Sequence, residues 1–402
     1  MSIATLILLG CASVALVLFG LGVVFTIWHT RLASPEPPPG EWPPLSLLKP
    51  LKGSEEELEV NLESFYVQDY PGELEVVFAT TEQDDDALPV ARRVAERHPD
   101  VPTRFVHSDE HFGLNPKVAN LAGAMATARH DLVLQSDANV RVRPDYLRKV
   151  VGEYRVRGSS LLTSMVVGVG ERSAGAAMEN LQLSAFIGPA MCTALHLARI
   201  SCVVGKSMLL SRAELDSLGG LEQVRDILAE DFVLGQRYQQ AGKRVTLSVT
   251  TVENVNREIG LGQFLGRHSR WLKMRAVIHV GGFVGDLLAN PVALTLAAFV
   301  ASGFERWVGL VLLGVVLLKM TGDAFLMRRT RGVGMRLRHL AMGPLKDSLM
   351  GLVWVYSIFS RSVCWRGKKL RFGSMSRLRA DDGALPFRVA RRLRVARRLR
   401  RA

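Results

Sequence analysis

Leu132-Val133-Leu134-Gln135-Ser136-Asp137-Ala138-Asn139 is the stretch whose reading decides the fold. An apolar run that passes directly into a carboxylate describes a buried strand ending on a polar loop. Working outward, residues 45–48, 74–79, 104–106 and 161–167 have the same β-type character, and 56–65, 85–98 and 117–128 read as the helices between them. Strands alternating with helices predict an α/β domain with a mostly parallel sheet over about 45–275. Ligands of such sheets lie beyond the carboxyl ends of the strands. Asp84-Asp85-Asp86 and Asp137 fall at that edge.

The rest of the chain is organised around apolar spans. Of the 402 residues 48% are hydrophobic, and the excess is concentrated at the two ends, as expected of a soluble middle held by membrane segments. Residues 3–27 contain no charge and are long enough for a bilayer core of ~30 Å. This run is too long for the apolar part of a signal peptide and lacks a basic segment before it. An N-terminal membrane helix over 1–30 is therefore predicted, with His29 and Arg31 placing the segment after it in the cytoplasm. A stiff proline linker (31–44) comes next. The C-terminal membrane region (276–375) should hold a hairpin at about 287–327, turning at Glu305-Arg306 and returning at Arg328, Arg329 and Arg331. Beyond it, an interfacial or re-entrant segment is expected at about 345–362, because a crossing there would violate the charge rule. The tail (376–402) repeats Val-Ala-Arg-Arg-Leu-Arg at 389–394 and 395–400, which reads as a membrane-surface anchor for anionic lipid or as a disordered basic end.

A formal charge of +13 flanks apolar spans and no nucleic-acid motif, so lipid rather than nucleic acid is the expected partner. Cys11, Cys192, Cys202 and Cys364 are scattered with no CxxC pair, which argues against a disulfide framework or a structural zinc site.

Four charged signatures stand in a fixed order: Gln83-Asp84-Asp85-Asp86, Ser136-Asp137-Ala138-Asn139, Ala229-Glu230-Asp231 and Arg267-His268-Ser269-Arg270-Trp271. Each suits a task that transfer of a sugar from a nucleoside diphosphate would require. Asp137, at the end of a buried strand, calls for a compensating partner such as a hard divalent cation, Mg or Mn, shared with the diphosphate. Asn139 would be a second, neutral oxygen donor. Asp85 can accept the imide N–H of a uracil; Asp84–Asp86 can equally cap the helix that begins there. Lys117, in Gly113-Leu114-Asn115-Pro116-Lys117, adds positive charge at a helix start, where phosphates are favoured, and Asn115 accompanies it in contacting the nucleotide. Asp231 is the candidate general base for the acceptor hydroxyl, with Glu230 as its alternative. Arg267 and Arg270 lie on one helical face and can clamp the diphosphate, and Trp271 offers an apolar wall. The bland alternative for this last group is a juxtamembrane basic belt with an interfacial Trp.

Taken together these residues resemble ceramide glucosyltransferases, glycosyltransferase family 21. The likeness also rests on Ser46-Leu47-Leu48-Lys49-Pro50-Leu51-Lys52-Gly53, Asn61-Leu62-Glu63-Ser64-Phe65 and Val203-Val204-Gly205-Lys206-Ser207, and it covers about 3–275. It implies a GT-A type domain and inverting transfer of glucose from UDP-glucose to the primary hydroxyl of ceramide, at the cytosolic face of a membrane, here a bacterial inner membrane. Asp85 would then bind UDP, Asp137 the metal-diphosphate, and Asp231 would be the base, with Arg270 and Trp271 completing the site. One departure concerns the acceptor: where the animal enzymes have a histidine before the proline of Phe186-Ile187-Gly188-Pro189, this chain has Gly188. A relative that transfers N-acetylglucosamine from its UDP form to a hopanoid shares the aspartates and the RxxRW pattern. A non-catalytic membrane scaffold would explain the charge and spans and leave the four ordered signatures unexplained.

Overall fold

The computed structural model describes residues 2–32, 34, 35, 40, 42–360, 362–365 and 368–380. The proline linker is thus covered only in part, and the basic tail from 381 onward, with its arginine repeat, lies outside the described residues.

A long helix, α1 (Ile3–Arg31), comes first and is capped by the Ser2 side chain, which accepts the Thr5 N–H at 3.1 Å. Then β1 (Leu45–Pro50), α2 (Leu58–Glu63), β2 (Leu74–Thr80), α3 (Ala87–Arg97), β3 (Thr103–His107), α4 (Pro116–Thr127) and β4 (Leu132–Ser136) alternate as the sequence pattern predicts. They are followed by β5 (Val140–Arg141), α5 (Tyr146–Val156) and β6 (Leu161–Val169). The chain then leaves the sheet through α6 (Ala174–Gln182), one π-helical turn (Leu183–Ile187) and α7 (Gly188–Ala198). It re-enters with β7 (Ser207–Ser211), α8 (Arg212–Ser217), α9 (Glu230–Gln240) and β8 (Val245–Val255). The C-terminal region consists of α10 (Leu261–Ile278), α11 (Val280–Leu288), α12 (Pro291–Ala301), α13 (Arg306–Arg331), α14 (Leu337–Leu340) and α15 (Gly343–Phe359). Beyond them β9 (Ser362–Trp365), β10 (Lys368–Phe372) and β11 (Leu378–Ala380) form a small antiparallel sheet.

The main sheet has the order β3-β2-β1-β4-β7-β6-β8-β5. Because side chains alternate across a strand, adjacent residues serve opposite faces. Leu47 and Phe78 pack into a core with α3 and α5, whereas Leu48 and Val77 pack into a second core with α4 and α9. Both faces are covered, which explains why β1, β2 and β4 are buried over nearly their whole length. The α/β class is as expected, and β1 to β4 are parallel, as are β6 and β8. β7 departs from that pattern, running antiparallel between β4 and β6, as β5 does beside β8. The reason is geometric. The α6–α7 excursion returns the chain to the edge it left, so the next strand must run backwards. Ser207 therefore starts β7 directly opposite Ser136, and Gly205-Lys206 arrive beside Asp137.

Among the described residues, three helical stretches are long and apolar enough to cross a membrane: α1, α13, and the combined Ala174–Ala198 stretch, which the hydropathy pattern alone had not marked. The last traverses α6, the π turn and α7, and half of its apolar window is buried against the protein. The first arm of the expected hairpin differs from a straight span. α11 and α12 are bent by 67°, and α12 alone, at 11 residues, rises only ~16 Å. The break lies at Asn290-Pro291, where proline disfavours helix in the residue before it and Asn290 starts a new helix by accepting the Ala293 N–H at 3.1 Å. α1 packs Ala12 and Ala15 against Leu294 of α12, and its last turn reaches the sheet domain, where a ring nitrogen of His29 lies 3.0 Å from the Ser248 carbonyl oxygen.

Candidate active site

The site gathers at the carboxyl edge of the parallel strands. Asp137 follows β4, and its two carboxylate oxygens each meet an ammonium: Lys117 Nζ at 3.0 Å and Lys206 Nζ at 3.1 Å. Lys206 also donates to Asn139 Oδ1 at 2.6 Å. Lys49, at the end of β1, donates to Ser136 Oγ and to the Asp137 carbonyl, both at 3.1 Å, and stands 3.4 Å above the Phe65 ring. Burial pushes the Lys49 ammonium well below its ordinary range, with Asp137 opposing that shift and Lys206 adding to it. For Asp137 burial pushes the carboxyl upward, but Lys117 and Lys206 overcome this and hold it below the usual carboxylate range. Lys117 shows the reciprocal effect: burial lowers it, while Asp137, Glu230 and Asp231 raise it well above the usual lysine range.

Lys117 ties the second signature to the third. Its Nζ also contacts Glu230 Oε1 at 3.0 Å and the Gly205 carbonyl at 3.2 Å. Glu230, nearly fully buried, is shifted upward, first by desolvation and then by Asp231, with Lys117 opposing. Asp231, in the first turn of α9, accepts the Gly205 N–H at 2.6 Å through Oδ2 and the Phe232 N–H at 2.7 Å through Oδ1. Gly205 has to be small: a Cβ there would lie 2.8 Å from Lys117 Nζ and 3.1 Å from Asp231 Oδ2. Asn115 is fully buried as the N-cap of α4. Its Oδ1 accepts the N–H groups of Lys117 and Val118, and its Nδ2 donates to the Ile227 carbonyl at 2.6 Å. Asn115 thus fixes the first turn of α4, which carries Lys117.

Asp85 fulfils the capping expectation for its signature. It is buried after β2 and accepts the Ala87 N–H at the start of α3, and both its oxygens accept the Gly53 N–H, at 2.9 and 3.0 Å. The Lys-Pro-Leu-Lys-Gly segment after β1 is thereby fastened to the end of β2.

The fourth signature lies in α10 and meets a partner the sequence did not reveal. Glu179 of α6 is fully buried. Arg267 Nη1 donates to its Oε1 at 2.9 Å, and His268 Nε2 lies 3.0 Å from its Oε2. The His268 ring in turn stands edge-on to Trp271 at 5.2 Å between centroids. Arg270 is also engaged in the structure. Trp271 and His268 line a pocket between α6, α10, α11 and α15. Lys49, Gly205, Lys206 and Glu179 were therefore missed as site residues. The first three were within reach, since the segments resembling the family contain them. Glu179, in Ala-Met-Glu-Asn, carries no local signal.

A model of glycosyl transferase family 21 matches residues 11–378. Ceramide glucosyltransferase 1 of Caenorhabditis elegans is 27% identical over 274 residues, 67% of this chain and 58% of that protein. Ceramide glucosyltransferase 3 of the same organism is 25% identical over 337 residues, 81% of this chain and 72% of that protein. The ceramide glucosyltransferase of Komagataella phaffii is 32% identical over 128 residues, 31% and 25% of the two chains. The chain thus spans a little over half the length of the first of these relatives. Among solved structures, a Pyrobaculum calidifontis mannosyltransferase in complex with GDP-Man and Mn2+ covers 87% of this chain and 98% of its own, at 17% identity and a TM-score of 0.49.

Proposed function

The chain belongs to glycosyl transferase family 21, and from that premise we propose that it is a membrane-held, inverting transferase that moves glucose from UDP-glucose to the primary hydroxyl of ceramide. One observation carries this reading above the rest: Lys117 and Gly205 join Asp137, Glu230 and Asp231 into one cluster, although these residues are far apart in sequence. A cationic centre beside a fixed carboxylate is what displacement at a sugar carbon requires. The acceptor oxygen attacks C1 as the bond from C1 to the diphosphate oxygen breaks. The hydroxyl proton passes to Asp231, and the electron pair of the broken bond leaves with UDP. Two backbone N–H groups orient Asp231, so little reorganisation accompanies the step.

Lys117 and Lys206 place positive charge where the diphosphate departs, while Asp85 accepts the imide N–H of the uracil. Arg267 and Trp271 stand on the acceptor side with Arg270. Among the described residues no three His, Cys, Asp or Glu side chains gather as a cation cage. The Asp137 carboxylate and the Asn139 amide oxygen are the donors that would hold Mg or Mn shared with a diphosphate, and the ion would take the place of the Lys117 and Lys206 ammoniums that occupy those oxygens in this structure. When bound there, the ion would neutralise charge on the leaving group. α1 and α13 hold the domain at the bilayer, with Arg328, Arg329 and Arg331 on its cytoplasmic side.

The test is a matrix of donors and acceptors. Membranes containing the protein are offered UDP-glucose, UDP-galactose or UDP-N-acetylglucosamine with ceramide, diacylglycerol or a hopanoid, and lipid products are identified by mass. Glucosylceramide as the main product is expected. Transfer only of N-acetylglucosamine, or no product from any pair, would refute the reading.

A further inference from the structure

The pocket beside Trp271 has a rim and a floor of opposite character. Phe186, Ile187, Leu287, Met350 and Trp354 make the rim apolar. The floor contains Gln182, Asn290 and Asp347, and each is held by the protein. Asn290 Nδ2 donates to the Asp347 carbonyl at 2.8 Å, Lys346 Nζ donates to Gln182 Oε1 at 3.0 Å, and Lys346 Nζ lies 2.7 Å from Asp347 Oδ1. Asp347 Oδ2 is the exception. Buried and without a hydrogen-bond partner, it has Lys319 Nζ 3.6 Å away. Lys319 itself is bound to Asp323 Oδ1 at 2.5 Å.

The charges in this cluster balance: Lys319 and Lys346 against Asp323 and Asp347. The unused acceptor therefore has no call for a cation. It calls for a neutral N–H or O–H donor, because a buried polar atom left unpaired is costly. The apolar rim calls for hydrocarbon beside that donor.

We propose that this pocket is the acceptor subsite and that Asp347 selects a neutral lipid whose head carries an N–H or O–H donor in addition to the hydroxyl that reacts. This rests on the reading of the chain as a lipid glycosyltransferase and deepens it. Trp271 belongs to both the fourth signature and the pocket wall, so the subsite opens onto the residues assigned to transfer. A ceramide head satisfies the requirement through its amide N–H and second hydroxyl. A diacylglycerol offers only the hydroxyl that would react.

The experiment uses the full chain in lipid nanodiscs with UDP-glucose. Acceptors are ceramide and its N-methyl analogue, which lacks the amide donor, and UDP release without acceptor reports the donor site separately. The unmodified chain should prefer ceramide over the N-methyl analogue in kcat/KM by about tenfold or more, the worth of one hydrogen bond to a charged group. Asp347→Asn should reduce that preference severalfold, in the manner of a double-mutant cycle. Leu287→Trp, which narrows the pocket from the rim and leaves the ion cluster intact, should raise KM for ceramide about tenfold or more while UDP release stays unchanged. An unaltered preference in Asp347→Asn, or an unaltered KM in Leu287→Trp, overturns the subsite while the enzyme reading stands. Absence of transfer to any lipid by the unmodified chain overturns both.

Discussion

Replacing Asp231 with Asn tests the proposed chemistry at one atom pair. The carboxylate accepts two backbone N–H groups, from Gly205 at 2.6 Å and Phe232 at 2.7 Å. An amide of the same shape can keep one of these bonds, but its NH2 must then face the other N–H. Exchanging one hydrogen bond to a charged group for an unmatched pair costs ~1.5–3 kcal/mol of stability. The catalytic cost is separate and larger. A general base contributes about 10²–10⁴ in rate, which is ~3–5 kcal/mol at the transition state. The assay is kcat at saturating UDP-glucose and ceramide, with thermal unfolding followed on the same preparation and UDP affinity measured by titration. The expected result is a folded variant that binds UDP with near-normal affinity and has lost at least about 99% of kcat. If the variant keeps more than about a tenth of kcat, or loses turnover only in proportion to its unfolded fraction, Asp231 is a structural residue and the base must be sought elsewhere.

Gly205→Ala should spare folding, since the backbone there is open to alanine. The new methyl, 2.8 Å from Lys117 Nζ and 3.1 Å from Asp231 Oδ2, should displace both and reduce kcat/KM by about 10²; wild-type turnover would show that this junction tolerates movement. Asn115→Ala removes the α4 cap and leaves the Ile227 carbonyl without its Nδ2 partner. A loss of ~2–4 kcal/mol in chemical denaturation is expected, along with a raised KM for UDP-glucose as Lys117 loses its anchor. Lys206→Met gives a pH signature. Against the upward push of burial, Lys117 and Lys206 hold the Asp137 carboxyl down. The stability this adds is therefore present above the ordinary value of ~3.9 and lost as pH falls through the folded value. The stability gap between wild type and variant should be full at neutral pH and shrink in strong acid, where the variant's Asp137 takes up its proton before the wild type's does; a gap that widens as pH falls would contradict the assignment.

How much was legible in the sequence depends on how locally each feature is encoded. β1, β2 and β4 were readable because strands buried on both faces leave continuous apolar runs, and Asp85 and Asp137 because each run stops at a carboxylate. The break at Asn290-Pro291 was equally local. The partners of these residues were another matter. Lys206 becomes an Asp137 ligand only because β7 runs antiparallel to β4, pairing Ser136 with Ser207, and no periodicity within either segment reports that reversal. Glu179 looks like any helical carboxylate until α10 brings Arg267 and His268 to it. The bland reading of the fourth signature as a juxtamembrane basic belt fails for Arg267 and His268 for the same reason, since they bind an inward-facing carboxylate. For Asn115 the local pattern pointed to the loop, while its work as the α4 cap shows only in the fold. A cap and a ligand contact use the same side-chain oxygen, and only burial distinguishes them.

The length of α1 has a bearing on where the product goes. Its 29 residues make a rod of ~43 Å, against a hydrocarbon layer of ~30 Å and a whole bilayer of ~40–45 Å. The rod is continuous up to His29, which is joined to Ser248 of β8. The surplus of ~13 Å is about the thickness of the two headgroup layers together, and no slack intervenes between the bilayer and the sheet. On the proposed reading, with α1 spanning the bilayer, the catalytic cleft would ride at the water–lipid boundary at a fixed altitude. An acceptor could then slide in and a glycolipid slide out sideways, its tails staying within the leaflet throughout a turnover.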